Sequence, residues 1–250
     1  MAIFAIGDLH LSLGGDKPMD VFPGWQGYLP KLEGNWRKLI APEDTVVLVG
    51  DTSWAMHLKD TKADFSFLES LPGQKWLLKG NHDYWWTTRK KMESFLQENG
   101  FSSLHILHNN ACIVDGVALC GTRGWPFDDT AAQDAKVMAR EAGRLKMSLE
   151  AAGDLPKLAF LHYPPVYPGA CAQEIVDVLQ NYGVTRHCGT RCREPMTASN
   201  TACFPPTGLP FARLRYAPER KIARKNSNLL WHSAKTCAII PCTAMFGGVF

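Results

Sequence analysis

An α/β layered fold is predicted from three observations. Four short apolar runs, AIFAI (2–6), TVVLV (45–49), KWLLK (75–79) and KLAFL (157–161), each end at a glycine or a polar residue. Such runs read as buried strands. Segments whose apolar residues step by three and four lie between them, and these read as helices. A hairpin-rich middle is marked by the turn dipeptides Asn109-Asn110 and Asp115-Gly116. Strands buried on both faces need helices on either side of their sheet.

The elements follow in order. After the strand at 2–6 comes a Gly/Pro-rich loop, 12–30, with Trp25 and Tyr28. A loop of this length leaving a strand end is a candidate substrate wall. Residues 35–40 end a helix that Pro42 closes. The strand at 45–49 leads into TSWAMHLK (52–59), where Trp54 and His57 face either substrate or core. Residues 60–71 read as a short helix stopped by Pro72 and Gly73. The strand at 75–79 runs into GNHD (80–83), and then Tyr84, Trp85 and Trp86 form either a stacking surface for a base or aryl group or part of the core. Residues 87–99 read as a helix with Met92, Phe95 and Leu96 on one face and Gly100 as its stop. Residues 105–108, 111–114 and 117–120 read as successive strands of a second sheet, after which 121–129 returns to the site side. The longest helix spans about 131–152, with Ala135, Met138, Ala142, Leu145, Leu149 and Ala152 as its apolar stripe. Arg140, Glu141, Arg144 and Lys146 are expected on its solvated face. A last helix at 172–182 turns Ile175, Val178 and Leu179 inward, and VTR (184–186) starts a final strand.

Each of the four apolar runs opens onto oxygen or imidazole ligands. Asp8 and His10 follow the first, Asp51 the second, Asn81 and His82 the third, and His162 the fourth. Ligands at the carboxyl ends of neighbouring strands converge on one crevice. Carboxylates and imidazoles suit divalent Mn, Fe or Zn. Two such ions about 3.5–4 Å apart clamp a phosphoryl group and lower the pKa of a water. A carboxylate such as Asp51 can bridge them. His82 need not be a ligand: it can protonate a leaving oxygen, with Asp83 orienting its ring. Arg123 either contacts a phosphate by bidentate hydrogen bonding or forms a structural ion pair.

Any one of these strings is weak, because Gly-Asp after a strand is often only a turn. In this order and spacing, GDLH (7–10), GD (50–51), GNHD (80–83) and LHYPP (161–165) resemble the calcineurin-like metallophosphoesterase family over residues 1–185. GTRGW (121–125) is similar to its small bacterial phosphohydrolase branch. The resemblance sharpens the fold to two facing mixed sheets flanked by helices, a four-layer sandwich. It implies Asp8 and His10 on a first metal, Asp51 bridging, Asn81 and His162 on a second, and His82 as the phosphate-contacting acid. Asn81, His82 and Arg123 would bind the substrate phosphate.

One family string is missing. A GHxH turn after the last core strand should supply one further histidine to each metal, but 190–193 reads Thr-Arg-Cys-Arg, and no GHxH occurs in the chain. Composition changes at the same place. Residues 1–185 carry 17 Lys+Arg against 22 Asp+Glu, whereas 186–250 carry 10 against 2. The latter segment also holds five of the eight cysteines and six of the sixteen prolines. We read 1–185 as the metallophosphoesterase domain and 186–250 as an atypical basic tail. It arises from a reading-frame change near Arg186 or from divergence. Loss of GHxH would weaken metal binding and activity. His187 is a candidate substitute ligand. The alternative function is a non-catalytic scaffold of the same family.

The expected function is therefore hydrolysis of a phosphomonoester or phosphodiester by two divalent ions. The motifs act on phosphate alone and select no single substrate. No run of about 18 apolar residues predicts a membrane span, and MAIFAIGDLH enters the first strand without a signal-type segment. These features point to the cytoplasm. The basic tail can attract nucleic acid electrostatically, but no aromatic interleaving supports a specific reader. Cys188 and Cys192 lack the second matched pair of a zinc site. Cys112 and Cys120 are expected to pack as small apolar residues.

Overall fold

A computed structural model of the chain describes residues 1–22, 25–125, 132–167, 170–184, 187–189 and 212–214. Four strands expected from the apolar runs form: β1 (Ile3–Ile6), β2 (Thr45–Val49), β3 (Gln74–Leu78) and β7 (Lys157–Leu161). Between them lie α1 (Tyr28–Leu39), α2 (Lys62–Glu69), α3 (Arg89–Glu98), β4 (Leu104–Ile106), β5 (Cys112–Val114), β6 (Val117–Thr122) and α4 (Ala132–Glu150). A small hairpin of β8 (Val166–Tyr167) and β9 (Ala170–Cys171), α5 (Gln173–Asn181), β10 (His187–Gly189) and β11 (Ala212–Leu214) follow.

The strands form two mixed sheets. One has the order β11-β1-β2-β3-β4, and the other β10-β7-β6-β5. Side-chain alternation then sorts the apolar residues into three cores. Phe4, Ile6, Val46, Leu48 and Leu77 pack with Leu32 and Trp36 of α1, Phe65 of α2 and Met92 of α3. Ile3, Ala5, Val47, Val49 and Leu78 face Val117, Leu119, Leu158 and Phe160 between the sheets. Ala118, Cys120, Ala159 and Leu161 pack on Leu145 and Leu149 of α4 and Leu179 of α5. Helices, sheet, sheet and helices make the four-layer sandwich. Every residue of β1 and β2 is buried, as strands covered on both faces must be.

Five expectations need correction. The strand at 104–106 belongs to the first sheet, not the second: it runs parallel to β3, with Trp76 opposite His105. Asn109, at φ 58, turns the chain from one sheet to the other, so Asn109-Asn110 is a crossing and not a hairpin. The Asp115-Gly116 hairpin does form, pairing Cys112 with Leu119, with both turn residues at positive φ. Helix α1 begins at Tyr28, inside the expected loop, and buries Tyr28 as part of its apolar face. The stripe of α4 starts at Met138, because Ala135 is exposed. Glu141 is 1% exposed rather than solvated. It accepts from Thr122 Oγ1 at 2.6 Å, Arg123 Nη2 at 3.1 Å and Arg144 Nη1 at 2.6 Å. Two cations and a hydroxyl hold a buried carboxylate that helical spacing alone assigned to water.

The second sheet extends past residue 185, since His187–Gly189 pairs in parallel with Ala159–Leu161. Thr190–Arg193, Cys192, Cys203, Cys237 and Cys242 lie outside the described residues. Cys112, Cys120 and Cys171 are free. Burial pushes the thiols of Cys112 and Cys120 up, to about 12 and about 11, in keeping with small apolar packing. Among the described residues no helix is long and apolar enough to cross a membrane.

Candidate metal centre

Strands β1, β2 and β3 are parallel neighbours, so their carboxyl ends and the loops beyond them lie side by side. β7 brings His162 to the same place from the second sheet. The ligand loops interlock through backbone hydrogen bonds. Asp8 N–H donates to Gly50 O, His10 N–H to Asp51 O, and Leu11 N–H to Thr52 O, at 2.9, 2.9 and 3.0 Å. Asp8, His10 and Asp51 all sit in the left-handed region, with φ of 57, 47 and 53. Non-glycine residues held there cost energy and gather at functional sites. Two glycines are required by close approach. A Cβ on Gly80 would collide with Asp51 Oδ1, and one on Gly50 would lie 2.7 Å from His162 Nδ1.

The side chains converge. Oxygen and nitrogen atoms of Asp8, Asp51 and His162 all lie within 4.8 Å of one another. Asp51 Oδ2 stands 3.8 Å from His10 Nε2 and 3.5 Å from His162 Nε2, between two imidazoles. His10 Nε2 is also 3.8 Å from Asp8 Oδ1. His162, fully buried, has Nδ1 2.9 Å from the carbonyl of Val49. A carbonyl only accepts, which assigns the ring proton to Nδ1. Nε2 is then an acceptor, and it faces Asn81 Oδ1 at 2.9 Å. Acceptors from Asp8, His10, Asp51, Asn81 and His162 thus meet in one place. With metal–ligand bonds of about 2.0–2.2 Å, atoms sharing an ion stand about 3–3.5 Å apart, somewhat closer than the 3.5–3.8 Å seen between Asp8, His10, Asp51 and His162. The donor set fits divalent ions that accept carboxylate, amide oxygen and imidazole together.

His82 sits beside this cluster. Its backbone N–H donates to Asp51 Oδ1 at 2.8 Å. Its Nδ1 is 3.4 Å from the Tyr84 hydroxyl. The hydrogen bonds of Asp83 go to groups other than that ring. Its buried carboxylate accepts from Gly80 N at 2.7 Å, Asp51 N at 2.9 Å, Thr52 N at 2.9 Å and Trp85 Nε1 at 3.0 Å. The role is a clamp on two ligand loops. Burial, and then the Asp51 charge, push the Asp83 carboxyl above the ordinary carboxylate range, while N–H groups of Gly80 and Thr52 pull it down. A second buried carboxylate, Asp64, ties the loop after β1 to the loop after β2. It accepts from Leu13 N at 2.7 Å and Ser53 Oγ at 2.5 Å. Burial raises its pKa, against the Ser53 bond.

The Arg123 carbonyl accepts from the N–H of Tyr163, the residue after His162, at 2.8 Å. The Arg123 guanidinium bridges to Glu141 and lies over the Trp125 ring at 4.7 Å. Of the aromatic residues after GNHD, Trp85 is core, at 2% exposed, and Tyr84 is open to solvent. Trp86 is half-buried and His57 exposed. Trp54, left undecided by the sequence, stacks on His10 at 4.6 Å. Its signal was only its position three residues after Asp51.

The chain is similar to one protein family and to several solved structures. The family model described as calcineurin-like phosphoesterase matches residues 1–189. No curated protein matches the sequence at a significant level. Among solved structures, a protein of Thermus thermophilus is similar at 16% identity and a TM-score of 0.50, over 76% of this chain and 81% of that one. An Aquifex aeolicus protein of unknown function shares 19% identity at a TM-score of 0.39, over 75% and 87% of the two chains. A phosphopantetheinyl hydrolase from Mycobacterium tuberculosis shares 12% at 0.43, over 76% and 81%.

Proposed function

The chain belongs to the calcineurin-like phosphoesterase family, and from that premise we propose that it hydrolyses phosphomonoesters or phosphodiesters at a pair of divalent ions. One observation carries the reading: the Asp51 carboxylate lies between the His10 and His162 imidazoles, 3.8 and 3.5 Å away. This supports a carboxylate that two ions would share. Asp8, His10 and Asp51 would hold the first ion, and Asp51, Asn81 and His162 the second. When bound, two ions neutralise phosphate oxygens and acidify water.

The protein's own groups do the rest. Asn81 offers its amide to a phosphate oxygen. His82, fixed beside Asp51 by its backbone hydrogen bond, protonates the leaving oxygen. Asp83 and Asp64 hold the ligand loops so that the carboxylates need not reorganise during reaction. Arg123 adds positive charge at the crevice, with Glu141 setting its position. Residues 1–185 are the catalytic domain on this reading, with β10 completing its second sheet.

The test is hydrolysis of p-nitrophenyl phosphate and bis(p-nitrophenyl) phosphate with added Mn²⁺. Turnover that vanishes with EDTA and in Asp51→Asn supports the proposal. Turnover that Asp51→Asn leaves unchanged refutes it. The absence of GHxH favours a second reading, a non-catalytic remnant or binding scaffold of the family. It predicts no hydrolysis of either ester and no bound ion.

A further inference from the structure

We propose that the leaving-group side of this centre is a stacking subsite for an aromatic ring, a nucleobase or an aryl group, bounded by Tyr84, Trp54 and Trp25. The inference rests on the phosphoesterase reading above and adds the class of substrate. Three rings contact two histidines. Trp54 stacks on His10 at 4.6 Å and 20°, and leans on His82 at 4.8 Å. Trp25 meets His10 edge-on at 6.3 Å. Tyr84 meets His82 edge-on at 6.0 Å.

Trp25 and Trp54 also pack on the apolar cluster beneath them, so the core accounts for part of their placement. Tyr84 has no such apolar packing, and its side-chain contact is to His82, with the hydroxyl 3.4 Å from Nδ1. It is 52% exposed and joins none of the three cores, while its neighbour Trp85 is buried and bonded to Asp83. A single exposed aromatic ring is ordinary on a protein surface, so it is the position of Tyr84 beside His82 that carries the argument. Here it borders the residue assigned to protonate the leaving oxygen, so it lies beside whatever that oxygen carries. Lys17 adds a cation on the same rim, 5.7 Å from the Trp54 ring. Every nucleobase has a π-face to stack on such rings, whereas a bare sugar or glycerol has none.

Calorimetric titration separates ring from phosphate. The manganese-loaded protein is titrated with the non-hydrolysable methylenephosphonate analogues of adenosine 5′-monophosphate and of ribose 5-phosphate, which differ only by the base. The adenosine compound is expected to bind at least about fivefold tighter, the lower end of the range for stacking on one aromatic side chain. Tyr84→Ala should shrink that preference to under about twofold, and Tyr84→Phe, which keeps the ring, should retain it. Trp54 is left unchanged, because it also packs on both histidines. Equal wild-type affinities, or a preference that Tyr84→Ala does not alter, overturn the subsite and leave the phosphoesterase reading standing. Failure of both compounds to bind overturns the two together.

Discussion

Replacing Asp83 by Asn separates a clamp from a ring-orienting acid. The Asp83 carboxylate accepts from Gly80 N and Asp51 N on one oxygen and from Thr52 N and Trp85 Nε1 on the other. Asparagine keeps one acceptor and turns an NH₂ toward the other pair. If the retained oxygen serves Thr52 and Trp85, the N–H groups of Gly80 and Asp51 lose their acceptor and meet a donor. Two hydrogen bonds to a charged group are worth about 3–6 kcal/mol in total. Removing a buried charge that Asp51 already disfavours offsets part of this. The net loss should be about 2–4 kcal/mol, a large share of a total near 5–15 kcal/mol. Urea denaturation at pH 7 of the metal-free protein measures it. Metal affinity should fall in parallel, because Gly80 and Asp51 are the backbone positions released. A variant within about 0.5 kcal/mol of wild type, with unchanged metal binding and only slower turnover, would refute the clamp and restore the ring-orienting role.

Three further outcomes are expected. Glu141→Gln leaves Arg123 and Arg144 without their buried anion and should cost about 2–4 kcal/mol in the same denaturation assay. Gly80→Ala should displace Asp51, since its Cβ would collide with Oδ1; calorimetry should show metal binding lost while the far-UV spectrum stays native. Lys75 is buried, donates to Leu71 O, Gly73 O and Ser103 Oγ, and has its pKa pushed down to about 8, by burial first and against the Glu69 charge. A lowered lysine pKa means that between about pH 8 and 10.4 the unfolded chain binds more protons than the folded one. Stability should therefore rise with pH across that window, and Lys75→Met should remove the rise.

The ligand strings were legible because each follows an uninterrupted apolar strand, and a buried parallel strand has one end at which chemistry can sit. That rule, together with the family resemblance, pointed to Asp8, His10, Asp51, Asn81 and His162 at one crevice. The same reasoning failed where a residue's partner is distant in sequence. Glu141 has helical neighbours Arg140 and Arg144 and looks solvated; only Thr122 and Arg123, eighteen or more positions away, show that it is buried. Leu104–Ile106 is a three-residue edge strand, too short for its pattern to say which sheet it joins. Asp83 sits next to His82 in sequence, which suggested a pair. The backbone instead turns its carboxylate into the loops of β2 and β3. The aromatic residues after GNHD divide between core and solvent by single-residue steps, Tyr84 out and Trp85 in, which composition does not report.

The most direct measurement is the metal content of the purified chain after equilibration with Mn²⁺ and removal of free ion, by plasma mass spectrometry, for wild type and Asp51→Asn. The account predicts two ions per wild-type chain and loss of both when the shared carboxylate is neutralised. A wild-type chain that retains no ion, or an Asp51→Asn chain that retains the same number, would contradict it.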